Sequence, residues 1–140
     1  MGQLVLSGTL QGGPPNGTDI GPGPRMSLNV PLAFKGGSWG KSYNAATGIL
    51  QRSVSTGVYL QLAGVSSSAS DPVTKGDTLY LLTNGPVSFR LTTDDGSGGN
   101  VVAVVPVDGF AMWEFPGNKF LKLLEVLGSA SIEYFVSGQQ

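Results

Sequence analysis

Apolar residues along this chain come in short runs rich in Val, Leu, Thr, Tyr and Phe, and glycine-, proline- or serine-rich stretches separate them. That punctuation predicts many short β-strands joined by tight turns. Leu4 to Leu10 reads as a first strand. In Met26 to Phe34, Met26, Leu28, Val30 and Leu32 alternate with Ser27 and Asn29, the period of a second strand. Pro31 puts the later part of that strand at an edge or a bulge, because proline donates nothing to a ladder.

Further along, the runs pair off as hairpins. Ile49 to Val54 faces Val58 to Ala63 around Ser55-Thr56-Gly57, and Asp77 to Thr83 faces Pro86 to Thr93 around Asn84-Gly85. Val101 to Val107 and Phe110 to Phe115 meet at Asp108-Gly109, and Lys119 to Leu127 meets Ser129 to Val136 at Gly128. Asn-Gly between apolar runs is a strong hairpin signal, because a type I′ turn needs positive φ at both central residues. Phe120, Leu123, Leu124 and Leu127 also fit a helical stripe. A strand is preferred there, since Ile132, Tyr134 and Val136 need a neighbour to pair with. The expectation is an all-β chain of about nine or ten strands, an antiparallel β-sandwich with a jelly roll among the arrangements it admits. At 140 residues it reads as one domain, 1–140.

Some segments fall outside the strand pattern. Gln11 to Arg25 contains Gly12-Gly13-Pro14-Pro15-Asn16-Gly17 and Gly21-Pro22-Gly23-Pro24, which excludes helix and makes poor strand. It is either a long ordered excursion or a mobile arm. Gly36-Gly37-Ser38-Trp39-Gly40 reads as a glycine-rich turn around an aromatic. Ser66 to Pro72 and Asp94 to Asn100 read as polar surface loops.

Composition narrows the function classes. The 8 basic and 9 acidic residues make up 12% of the chain, against the roughly 25% usual in soluble domains, and the cations are scattered. A phosphate-backbone footprint needs clustered Lys and Arg, so nucleic-acid binding is not expected. With no cysteine there is no disulfide framework, thiolate zinc site or thiol nucleophile. With no histidine there is no Ser–His or Cys–His nucleophile, and the commonest general base and transition-metal ligand are both missing. No apolar run approaches the ~20 residues of a membrane helix. Met1 to Leu6 lacks the basic start and apolar block of a signal peptide, and Leu6 stands where a myristoylation signal wants Ser or Thr. The expectation is a soluble protein made without an encoded export signal.

Candidate chemistry reduces to carboxylates, one loop and the aromatics. Asp94, Asp95, Asp108, Glu114, Glu125 and Glu133 offer no identifiable facing pair, and the adjacent Asp94 and Asp95 would point to opposite faces of a strand. Enzyme activity is therefore not expected, and neither is a cofactor or metal. Asp94-Asp95-Gly96-Ser97-Gly98-Gly99-Asn100 has oxygen ligands for calcium but lacks spaced aspartates and a downstream bidentate Glu, which favours a solvated loop. Trp39, Tyr43, Tyr59, Tyr80, Trp113 and Tyr134 fit a core or a subunit interface better than a sugar platform. Trp113, in register with Ala111 and Phe115, suits a buried row, and Trp39 suits an exposed contact. Sparse charge, unblunted strand edges and an arm long enough to reach a neighbour all point to assembly.

Three segments carry a family resemblance: the opening Gly2 to Thr9 strand running into Ile20-Gly21-Pro22; Asp77 to Pro86 with Val87 to Thr92; and the closing Phe120 to Gly138. With these the chain resembles small β-sandwich structural proteins of tailed bacteriophages, of the capsid decoration (cement) or head-fibre type. The resemblance implies a virion component assembled in the host cytoplasm. It would be a homo-oligomer, with a trimer favoured, bound to the major capsid protein or another virion protein. Pro14, Pro15, Ile20, Pro22, Pro24 and Trp39 are the candidate partner-binding residues. The alternative is a carbohydrate-binding or adhesin module of a phage tail or cell surface, with a glycan as its partner.

Overall fold

The computed structural model describes residues 2–6, 9–12, 28–31 and 39–140. Among them every regular element is a β-strand. The chain divides into two compact units, Gln3–Lys41 and Met1–Gly2 with Ser42–Gln140.

The smaller unit holds most of β1 (Gly2–Leu6) and β4 (Trp39–Tyr43), which pair with each other. It also holds β2 (Thr9–Gly12) and β3 (Leu28–Pro31), an antiparallel pair with Thr9 opposite Pro31 and Gly12 opposite Leu28. The run expected as one strand, Leu4 to Leu10, thus contributes to two strands with different partners. Gln11 and Gly12, assigned to the excursion, belong to β2. Trp39 and Gly40, assigned to a turn, open β4. The rest of the excursion, with Pro14, Pro15, Ile20, Pro22 and Pro24, lies outside the described residues.

The larger unit is one antiparallel sheet built on β11 (Leu121–Gln139). Along one side of β11 runs β6 (Leu50–Gln61), with Leu50 opposite Tyr134 and Gln61 opposite Glu125. The short β5 (Ala45–Ala46) continues that side, with Ala46 opposite Ser137. The other side of β11 is shared end to end. Its first half pairs with β8 (Val87–Asp94), from Thr93 opposite Leu121 to Val87 opposite Gly128. Its second half pairs with β7 (Lys75–Thr83), from Thr83 opposite Ile132 to Lys75 opposite Gln139. Outside these, β9 (Asn100–Val107) pairs with β8 and β10 (Phe110–Glu114) pairs with β7.

None of the expected hairpins forms. β6 and β11 each run straight through the predicted turn; β7 and β8 lie end to end on β11 instead of pairing with each other, and β10 and β9 pair with β7 and β8 in turn. The Helix alternative for 120–127 also gives way to strand. The reason is long-range: β11 pairs with both halves of β6 and with β7 and β8, which in turn pair with β10 and β9, so neither half of a line needs the other. Gly85 stays out of the positive-φ region that a type I′ turn requires. Asn84 is instead stitched to the strand beside it. Its N–H donates to the Ser131 carbonyl at 3.1 Å, and its Oδ1 accepts from the Ser131 N–H at 2.8 Å. Gly109 is held likewise, donating to Thr83 Oγ1 at 2.8 Å.

The turn-forming residues therefore do a different job. The irregular stretch of β6 around Gly57, the Gly128 position of β11, Asn84-Gly85-Pro86 and Asp108-Gly109 interrupt four neighbouring lines at one level of the sheet. They form a crease across it. Bulges and glycines at such positions bend strands and raise their twist. The bend is large, because Leu121 and Gly138, near opposite ends of the 19-residue β11, both lie opposite Gly76. Fully extended, such a strand would span about 60 Å. The sheet therefore curls on itself, and the side chains inside the curl form one core cluster that includes Leu79, Leu81, Phe89, Leu124, Val126 and Tyr134. Each such burial contributes about 1.5–3 kcal/mol. Ala111 and Trp113 are partly buried against this cluster and Phe115 joins it, so the row expected from their alternation is buried only at Phe115.

Candidate functional site

The feature of the larger unit that most resembles a binding surface is its β9 margin. Among the described residues β9 pairs with β8 alone, so its second edge carries unpaired backbone groups. Its sequence, Asn-Val-Val-Ala-Val-Val-Pro-Val, has no ionisable side chain. Val101, Val102 and Val104 are 50%, 57% and 55% exposed, and Phe110, just past the crease, is 63% exposed. β-Branched residues favour the strand by their stiffness at χ1 and their fit to a pleated surface, so this segment forms β-structure even where little covers it.

Backbone direction along β9 follows from its neighbours. Asp94 N–H donates towards β11, to the Phe120 carbonyl at 3.0 Å, and Asp95 N–H donates the other way, to Gly99 O at 3.1 Å. Alternate residues of an antiparallel strand direct their N–H and C=O to opposite sides. Odd-numbered residues of β8 therefore bond β9, and their partners Val101, Ala103, Val105 and Val107 bond back. Asn100, Val102, Val104 and Pro106 direct their backbone groups outward. Pro106, which has no N–H, thus falls in the outward set, where proline costs the ladder nothing.

The outer face of the curl is polar where β6 meets β11. Gln51 Nε2 donates to Glu133 at 2.9 Å, and serine pairs follow at Ser53–Ser131 (3.4 Å) and Ser55–Ser129 (3.2 Å). Tyr80 donates to Glu133 at 3.3 Å and meets the Phe110 ring edge-on, with centroids 5.7 Å apart. Burial, then the Glu133 carboxylate, push the Tyr80 phenol above its ordinary value. Gln51, Ser53, Leu82, Asn84 and Glu133 help line a shallow depression of about 550 Å³ on this face. Beyond the crease, Arg90 grips Glu125 through two hydrogen bonds of 2.9 and 2.6 Å, with its guanidinium 4.2 Å from the Tyr59 ring centroid.

The Asp94–Asn100 loop is ordered around a cation supplied by the chain itself. Lys122 Nζ lies 2.9 Å from Asp94 Oδ2, 2.9 Å from Asn100 Oδ1, 3.1 Å from Gly99 O and 3.3 Å from Gly98 O. The other Asp94 oxygen accepts the N–H groups of Gly96 and Gly98, and Asp95 Oδ1 accepts those of Ser97 and Gly99. The hydrogen bond from Lys122 holds the Asp94 carboxyl below its usual range; burial opposes this, and the Gly96 and Gly98 N–H groups reinforce it. The oxygens that suggested calcium thus surround an ammonium. The loop itself is solvated as expected, with Asp95 to Asn100 exposed, while Asp94, the last residue of β8, is buried. Among the described residues no three acidic side chains gather as a metal site would need.

Of the residues singled out from sequence as partner-binding, Pro14, Pro15, Ile20, Pro22 and Pro24 lie outside the described residues, and Trp39 is placed by its backbone at the start of β4. Tyr134 is a core residue, donating to the Ala63 carbonyl at 3.0 Å. The β9 margin escaped sequence reasoning because Val101 to Val107 resembles any strand with both faces buried. The available signal was Pro106, which marks an edge. Comparison with protein-family models, with curated proteins and with solved structures finds no match to the chain.

Proposed function

We propose that the protein acts by assembly, as a phage virion structural protein that decorates and stabilises the head by symmetric contacts with the major capsid protein or another virion protein. The observation that carries this reading is the uncharged β9 margin, with Val101, Val102, Val104 and Phe110 exposed along it. Long, flat, uncharged edges promote association, and proteins that remain single blunt them with charge; interface cores are likewise depleted of charge. The resemblance of Gly2–Thr9, Asp77–Thr92 and Phe120–Gly138 to phage decoration and head-fibre proteins supports the virion assignment. In this reading the curled sheet is a β-sandwich of jelly-roll kind. Modest contacts at many equivalent sites sum to firm attachment by avidity, and assembly takes place in the host cytoplasm.

The test is cosedimentation of purified protein with undecorated heads of its own phage. Saturable binding at a fixed ratio to capsid subunits, with a raised head-disruption temperature, is the expected result. Failure to bind heads at micromolar concentration would overturn it.

A second reading, a carbohydrate-binding module, draws on the depression beside Tyr80 and Phe110, where Gln51, Asn84 and Glu133 supply the amide and carboxylate groups that sugars use. Glycan binding abolished by Glu133→Ala, together with no head binding, would favour it.

A further inference from the structure

We infer that β9 is a self-pairing edge: two copies of the chain join antiparallel through β9 across a two-fold axis at Ala103. Three independent observations on this strand converge.

The first is its backbone. Val102 and Val104 direct both N–H and C=O away from β8, so the edge needs donors and acceptors at strand spacing. Another β-strand supplies that pattern in full. The second is symmetry in the sequence. Val101-Val102-Ala103-Val104-Val105 reads the same in both directions about Ala103. A two-fold interface places residue i of one copy against j of the other and j against i. Antiparallel pairing centred on Ala103 therefore sets Val102 against Val104, Val101 against Val105 and Ala103 against itself. Every flanking pair is then β-branched on β-branched, among the favourable cross-strand combinations. The third is charge: no ionisable group lies in Asn100–Val107, so copies brought together by symmetry meet no like charge along the strand.

The register also agrees with the hydrogen-bond phase. Val102 and Val104 of one copy would exchange about four backbone bonds with Val104 and Val102 of the other, while Ala103 faces Ala103 in a non-hydrogen-bonded pair, its own N–H engaged by β8. Pro106 falls opposite Asn100 at the end of the ladder, where a missing donor stops the pairing from spreading. The result is one sheet continuous through two copies, with the dimer as the unit in place of the trimer that the phage resemblance implies.

This inference shares its surface with the proposed function but does not need the virion reading. Dimers without head binding would refute that reading alone, and head binding by monomers would refute this inference alone.

The experiment is light scattering over a concentration series, with two variants of the full chain. The unaltered protein is expected to approach twice its 14.4 kDa mass. Val104→Pro removes an outward N–H that β8 does not use and is expected to weaken dimerisation at least 10-fold. Ala103→Cys places the only thiol of the chain on the two-fold axis, where non-hydrogen-bonded Cα atoms lie about 4.5 Å apart, and is expected to cross-link under mild oxidation. Val58→Cys, exposed on β6, is the control and is expected to cross-link at least 10-fold more slowly. A monomer at all concentrations, a trimer, or Ala103→Cys cross-linking no faster than Val58→Cys would overturn the inference. Should Val104→Pro fail to fold, the two cysteine variants decide alone.

Discussion

Gly76 lies opposite Leu121 so closely that a Cβ on the glycine would stand 2.9 Å from the Leu121 Cβ and 3.2 Å from the Leu121 carbonyl oxygen. This is the seam where the curled sheet meets itself, since Gly76 also lies opposite Gly138 at the far end of the same strand. The absence of a side chain is what lets the curl close.

Replacing Gly76 with alanine should therefore strain the seam. The nearest atoms belong to the backbone and to the stiff roots of Leu121 and Val136, which have little room to give. The expected loss is about 1–3 kcal/mol, as for overpacking elsewhere. Urea unfolding of Gly76→Ala measures it; an unchanged midpoint would mean that the seam is loose.

The crease makes a paired prediction. Gly128 adopts φ of 128°, and a Cβ there would lie 3.1 Å from Val87 Cγ1. Gly57 sits at the same level on β6, but it has an ordinary φ and nothing within 4 Å of an added Cβ. Gly128→Ala should cost about 1–3 kcal/mol for the forced backbone conformation. Gly57→Ala should be neutral or stabilise by about 0.4–1 kcal/mol through the unfolded chain. Equal effects in thermal unfolding would contradict a role for Gly128 that depends on its backbone angle.

Acid stability should depend on Lys122. Its hydrogen bond is the main cause of the lowered Asp94 pKa. A carboxyl with a folded pKa below its unfolded value of about 3.9 binds fewer protons when folded. Its stabilisation is present above that value and is lost as pH falls through the folded pKa. Lys122→Met removes the ammonium and keeps the stem, so stability near neutral pH should fall and the acid-unfolding midpoint should move to higher pH. A midpoint unmoved by the substitution would show that the ion pair does not stabilise the loop.

Thr78 offers a gain. Its hydroxyl is buried without a hydrogen-bond partner, and the residue is 1% exposed. An unsatisfied buried polar group costs about 1–3 kcal/mol, and an apolar group of the same shape avoids that cost. Thr78→Val should raise stability by about 1 kcal/mol, seen as a higher urea midpoint with an unchanged slope. A lower midpoint would mean that the hydroxyl is paired.

The chain's local chemistry made its strands legible. β7 and β8 fall within two residues of the segments marked by alternating apolar positions, and Ala111, Trp113 and Phe115 all touch the core, though only Phe115 is buried there. The positions of the bends were equally visible in Asn84-Gly85, Asp108-Gly109 and Gly128, because only a few residue types tolerate the backbone angles of a sharp bend.

What those bends do was decided by tertiary structure. A turn signal specifies a change of direction, while the choice between a hairpin and a crease depends on which strand lies alongside. Here β11, far away in sequence, pairs with both halves of β6 and with β7 and β8, which carry β10 and β9, and so turns expected reversals into bends of the sheet. The same long-range pairing leaves β9 at a margin, although its valines look locally like those of a buried strand. Likewise the Asp94 loop displays its oxygens in sequence, but only the fold brings Lys122 among them. Composition and periodicity determine which segments become strands because those preferences act within a few residues. Partner, edge and enclosed charge arise from contacts between distant residues, and these exist only once the sheet has curled.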